Sequence, residues 1–374
     1  MHHPPPHRRR LGAKHLIFVA LLALLGSGGT FALVTTGSAS AHRTPPSPSP
    51  SLPSAGEPSA GASETGAPPS SASPSSATPS PSHSGDHAGP VPEDFADIAT
   101  GARAERPRNQ RGASTGSFTS RCGRNTEGHR NPDNFIVTPG VQNGAHHQHD
   151  YVGNLSTDAF STADSLRAAD TTCGNGDKSA YYWPVLRDRT ADENADDADG
   201  NVGRILTPAR VSLSFRGNPA SKVTAMPEDL RVITGDAKAF TNGPANARAQ
   251  WTCTGAGGRV LTDKYPSCPR RSDVVRILDF PSCWDGTNTD SANHRTHIVF
   301  PDRASGRCPS GTKPVPQLRM RLTYDAPRAP DFAVDSFPEQ LHKPVTDHGD
   351  FANFMPTDVM NRAVRCINGG RRCG

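Results

Sequence analysis

The chain has 374 residues, 33% of them hydrophobic, with 36 prolines, 35 glycines and a formal net charge of +4 at pH 7. A single long apolar run excludes a polytopic membrane protein, and the absence of a sustained heptad pattern excludes a coiled coil. Downstream of the extreme N-terminus Arg and Asp are interspersed, with no basic block set among aromatics, so no nucleic-acid partner is expected.

In chain order, Arg8, Arg9, Arg10 and Lys14 precede an apolar run over 16–34, and Ala39-Ser40-Ala41 follows as a signal-peptidase site. Residues 1–41 therefore read as a secretory signal peptide, or as a single uncleaved N-terminal anchor sitting in the membrane. Both readings place the rest of the chain outside the cell, either secreted or anchored to the outer face of the plasma membrane, because the positive end stays inside. Residues 42–116 read as a disordered Pro/Ser/Ala-rich linker. Within 42–92 there are 13 Pro, 14 Ser, 7 Ala, 5 Gly and no aromatic residue, too little apolar surface to offset chain entropy.

Residues 117–374 form the expected folded domain, and all eight cysteines lie there: Cys122, Cys173, Cys253, Cys268, Cys283, Cys308, Cys366 and Cys373. An even number outside the cell implies up to four disulfides. Pairing is open, with Cys253–Cys268 and Cys366–Cys373 the first choices as local loops. Scattered cysteines without C-x-x-C argue against a cysteine zinc site.

Short apolar runs over 134–137, 210–215, 274–278, 297–300 and 318–324 alternate with Gly, Pro, Asn and Asp. The last sets Leu318, Met320, Leu322 and Tyr324 on one face and Arg319, Arg321 and Thr323 on the other, a half-buried strand. The expected fold is mainly β, an antiparallel β-sandwich or barrel-like domain with long loops, braced by disulfides. Short helices are expected over 161–169, capped by Ser161 or Thr162, and over 357–366, capped by Thr357. The acidic run 192–200 misses the EF-hand register and reads as a solvated loop.

Histidines carry the chemistry. Six fall into three groups: His146-His147-Gln148-His149-Asp150, His294-Arg295-Thr296-His297 and His348-Gly349-Asp350. In extended chain His147 and His149 share a face, as do His348 and Asp350. Imidazoles with carboxylates suit acid–base work near neutral pH; the catalytic set is His149, Asp150, His297, His348 and Asp350. The same groups suit a divalent metal, Zn or Mn, on His147, His149, His297 and His348. Trp183, Tyr182, Trp284, Asp285 and Asn154 are the side chains for a ligand wall, with plain core packing the alternative for the aromatics. Asn154 also opens a glycosylation sequon.

Phe135-Ile136-Val137-Thr138-Pro139-Gly140, then His147-x-His149-Asp150-Tyr151-Val152-Gly153-Asn154, resembles the opening signature of the DUF1996 family of secreted proteins. Ala180-Tyr181-Tyr182-Trp183-Pro184, Trp251-x-Cys253, Phe280-Pro281-Ser282-Cys283-Trp284-Asp285-Gly286, Asn293-His294-Arg295-Thr296-His297 and His348-Gly349-Asp350-Phe351 follow in the same order. The resemblance runs from about residue 118 to 366. It departs at 343–347, where Lys-Pro-Val-Thr-Asp replaces a Ser-Ser-Gly-Asp phrase, so no role for a serine there carries over. It implies secretion and points to these site positions, but names no reaction. The expected function is an extracellular enzyme acting on polysaccharide or another cell-wall polymer. The alternatives are a non-catalytic carbohydrate- or wall-binding module and a structural envelope protein.

Overall fold

The computed structural model describes residues 89–374; the signal or anchor segment and most of the linker lie outside the described residues. The fold is mainly β, built on two antiparallel sheets laid face to face, with no closed barrel among the described residues. One sheet runs in the order Leu230–Gly235, His348–Asn353, Ala180–Pro184, His149–Gly153, Arg130–Asn131. The other runs Trp251–Cys253, Val274–Asp279, Gln317–Tyr324, Arg210–Arg216, Ser117–Ser120, Arg372–Cys373, antiparallel except for the last pair. Among the described residues no helix is long and apolar enough to cross a membrane.

Alternation places the core. In Gln317–Tyr324 the residues Leu318, Met320, Leu322 and Tyr324 are buried while Arg319 and Arg321 are half-exposed, as the sequence pattern requires. From the facing sheet come Tyr181, Trp183, Val232 and Phe351; Phe351 lies 6.0 Å from Phe215, and Trp183 Nε1 donates to the Tyr324 hydroxyl at 3.1 Å. The opposite face of the five-stranded sheet is covered too. Phe135, Ile136 and Leu166 pack there on Tyr151, Tyr182, Ile233, Ala352 and Phe354. With both faces buried, Ala180–Pro184 and His348–Asn353 have no exposed residue and read as unbroken buried runs.

Four disulfides brace the fold: Cys122–Cys173, Cys253–Cys268, Cys283–Cys308 and Cys366–Cys373, including both expected local pairs. They fit an oxidising, extracellular compartment. Three expectations shift. Residues 134–137 form a turn, because the Asn134 side chain accepts from the amides of Ile136 (3.0 Å) and Val137 (3.1 Å) and curls the chain. The last helix, Thr357–Asn368, starts after Pro356 without a side-chain cap, so Thr357 is its first residue. Ordered structure also begins upstream of 117: Phe95–Asp97 pairs with Tyr265–Ser267, and the Phe95 ring packs 5.1 Å from Tyr265 and 5.3 Å from Phe332. An aromatic in a proline-rich approach is what anchors that segment. The short helix Ala163–Ala168 forms as expected, with Thr162 accepting from Ser165 N at 3.1 Å.

Candidate metal centre

His149 and His348 stand on strands that flank Ala180–Pro184 from either side. Pairing sets His149 opposite Pro184, and the pairing of Asp350 with Tyr182 brings His348 level with the same proline. Both side chains leave the outer face of the sheet, opposite Trp183 and Phe351. His147, just ahead of its strand, completes the group. Its Nε2 lies 3.1 Å from Nε2 of His149 and 3.2 Å from Nε2 of His348. A tetrahedral ion with metal–nitrogen bonds of ~2.0–2.1 Å sets its nitrogens about 3.3 Å apart, so the spacing is that of a common ligand.

The tautomers follow from the other ring nitrogens. His149 Nδ1 donates to the Asp133 carbonyl at 3.0 Å, and His348 Nδ1 to the Thr346 carbonyl at 2.9 Å. Each Nε2 therefore turns a lone pair inward, the outer-sphere arrangement that orients metal-bound imidazoles. His147 Nδ1 is buried without a hydrogen-bond partner; the Ala145 backbone is close enough to favour its charged form slightly but outside bonding geometry. Burial holds all three imidazoles neutral. It pushes His149 down to about 3, with the neighbouring His348 adding to the shift, and lowers His147 and His348 as well. His147, His149 and His348 are 4%, 0% and 5% exposed, and Phe337 packs edge-on to His147 at 5.4 Å.

A charged clamp holds the centre from beneath. Arg276 and Asp347, both fully buried, are bonded at Nε (3.1 Å) and Nη2 (2.5 Å), and Arg276 Nη1 also donates to the Pro184 carbonyl at 2.7 Å. One guanidinium thus fixes the residue before His348 and the proline between the histidines. Gly235 runs alongside: at φ +80°, a Cβ there would sit 2.3 Å from the Asp347 carbonyl oxygen. On the other flank Asp335, paired with Arg187 at 2.6 Å, accepts from Gln148 N at 3.3 Å and so ties down the residue between His147 and His149.

The other candidates distribute as follows. Asp350 shares the outer face. One carboxylate oxygen takes a long bond from Asn134 Nδ2 (3.4 Å), the other is buried without a partner, and burial pushes its pKa up to about 7. Tyr182 lies between these groups, its ring 5.3 Å from His149 and its hydroxyl donating to Asn134 Oδ1 at 2.9 Å. Asp150 points to the opposite sheet face, bonded to Arg130 (2.6 Å) and Asn125 (2.8 Å). His297 does not join the cluster: Nδ1 meets Ser291 Oγ at 2.9 Å and Nε2 meets the Arg231 carbonyl at 2.6 Å, so both nitrogens are engaged. Trp183 is sealed between the sheets. Trp284 donates to the Asn288 carbonyl at 2.6 Å, and Asp285 caps the same turn. Asn154 is buried, its amide donating to the Leu166 and Lys178 carbonyls, which withdraws it from the solvent a glycosylation site requires.

Sequence reasoning did not assign roles to Asn134, Arg276 or Asp347. Arg276 left a signal, a lone charge inside the apolar run Val274-Val275-Arg276-Ile277-Leu278. The backbone carbonyls of Asp133 and Thr346 left none.

Residues 134–354 match a protein family described as a domain of unknown function, DUF1996. No curated protein and no solved structure matches the chain.

Proposed function

The chain belongs to the DUF1996 family, and from that premise we propose that its folded domain is an extracellular metal-dependent enzyme that hydrolyses a cell-wall polymer. His147, His149 and His348 hold the divalent ion, and Asp350 on the same face completes the catalytic set. The carrying observation is the convergence of three Nε2 atoms at ligand spacing with two tautomers locked by carbonyls. Three protein ligands leave a fourth position for water, the pattern of catalytic rather than structural zinc. A divalent ion held by these three imidazoles would supply a water acidic enough to act as the hydrolytic nucleophile, whose hydroxyl would pass to one fragment of the cleaved bond and whose proton to the other. An all-imidazole set favours zinc over manganese, which prefers carboxylate oxygen. The disulfides support the extracellular address, and an export segment followed by a proline-rich tether would bring the domain to the wall, secreted or anchored.

Near-complete burial of the histidines favours one other reading, an ion that serves structure alone. Metal content of the purified domain, followed by reducing-end release from a panel of wall polysaccharides, separates the two. The expected result is one zinc per chain, more than about 100-fold weaker zinc binding in His149→Ala, and release by the wild type alone. Stoichiometric zinc without release from any polymer assigns the structural role. No stoichiometric ion, native or reconstituted, overturns the centre itself.

A further inference from the structure

A cavity of about 450 Å³ lies beside the hook closed by the Cys366–Cys373 disulfide, lined by Arg362, Arg365, Arg371, Asn175 and the terminal Gly374, whose α-carboxylate is the one acidic group in the lining. The helix Thr357–Asn368 places Arg362 and Arg365 three residues apart, on one face. Arg371 is folded back toward them: Gly370 at φ 69° turns the chain, Arg371 N donates to the Cys366 carbonyl at 3.1 Å, and Arg372 pairs with Ser117. Among the described residues none of the three guanidiniums has a carboxylate in ion-pairing range. All three are solvent-exposed, which screens their mutual repulsion, and an anion in the cavity would offset what remains.

Asn175 supplies an independent observation. Its Oδ1 accepts from Asp177 N (3.4 Å), while Ser120 Oγ gives its one proton to Asp177 Oδ2 (2.7 Å), and Nδ2 is buried without an acceptor. The nearby Asp177 carboxylate is turned away to Ser120, Tyr181 and Ser179.

We infer that this cavity is an oxyanion site for a phosphate-type group, with the three arginines as charged donors and Asn175 Nδ2 as a neutral one. Guanidinium forks match phosphate oxygens in pairs, and donors arriving from a helix, a hook and a loop suit a tetrahedral anion better than a planar carboxylate. The site is independent of the histidine centre. Either free phosphate or a phosphate ester on a sugar presents the same oxygens.

Calorimetric titration with inorganic phosphate, glucose 1-phosphate and chloride at matched ionic strength tests it. Saturable 1:1 phosphate binding is expected, weakened by about tenfold in Arg365→Gln and in Arg371→Gln, with melting temperature and zinc content unchanged. Tighter binding of the sugar ester identifies the ester as the ligand, and equal or weaker binding identifies the free ion. No saturation, equal displacement by chloride, or affinity unchanged in both variants overturns the site.

Discussion

The two faces of the five-stranded sheet are made by the same strands and are both buried, yet they differ in how their polar atoms are satisfied. Facing the second sheet, Tyr181, Trp183 and Phe351 form a dry layer in which the one indole donor has its acceptor on Tyr324. On the outer face, His149, Tyr151, Tyr182, His348 and Asp350 lie under Phe135, Ile136 and Leu166, with Asp350 Oδ1 and nearby His147 Nδ1 left unpaired. A buried orphan atom costs about 1–3 kcal/mol, so each one marks capacity to hold a bound water or ligand. Asp150 Oδ2 on the inner face is buried without a partner as well, but its carboxylate is paired with Arg130; what marks the outer face is orphan atoms on groups that no ion pair neutralises.

The sharpest way to break this contrast is at the clamp joining the faces. Asp347→Ala leaves Arg276 as an uncompensated buried charge, and denaturant unfolding should show a loss of about 3–5 kcal/mol. Replacing both residues by apolar ones of similar volume should recover most of that loss. A single-variant cost near zero would mean that the pair does not bolt the strands together.

Next in size is the acid response of a buried histidine outside the centre. Burial, helped by the charge of Arg189, lowers the His342 imidazole from 6.5 to about 4, against the opposing pull of the Val334 and Gly200 carbonyls, each 3.0 Å from a ring nitrogen, of which the neutral ring can donate to only one. The unfolded chain takes up that proton first. The stability contribution is therefore complete above pH 6.5 and is lost as pH falls toward 4, by roughly 3 kcal/mol. Unfolding curves of His342→Gln across the same range should lack this component.

The smallest effect belongs to the outer cover itself. Thr162→Ala removes the cap of Ala163–Ala168 and should cost about 1 kcal/mol by thermal unfolding. It should leave zinc uptake intact, because no ligand rides on that helix.

What was legible in the sequence was local. The two-residue period of 317–324 gave a strand and its faces, His-x-His put two imidazoles together, and neighbouring cysteines paired. What was not legible was long-range register. Nothing in the chain shows that His147 meets His348 some two hundred residues away while His297, in an equally suggestive phrase, spends both nitrogens on Ser291 and Arg231. Trp183 carries the same ambiguity: one step along its strand, Tyr182 faces the histidines, and the pleat alone sends the indole to the other side. Asn134 stands before three apolar residues that read as a strand, but its side chain bonds two following amides and makes a turn instead.

Pro184 stands between the two strand-borne histidines, so two of the three donor positions are inherited from ladder hydrogen bonds rather than from loops. A slip of one residue in either pairing would send one imidazole to the far side and dismantle the triad. Zinc uptake would then serve as a chemical gauge of correct strand assembly: a chain mispaired during oxidative maturation, however compact, would emerge empty.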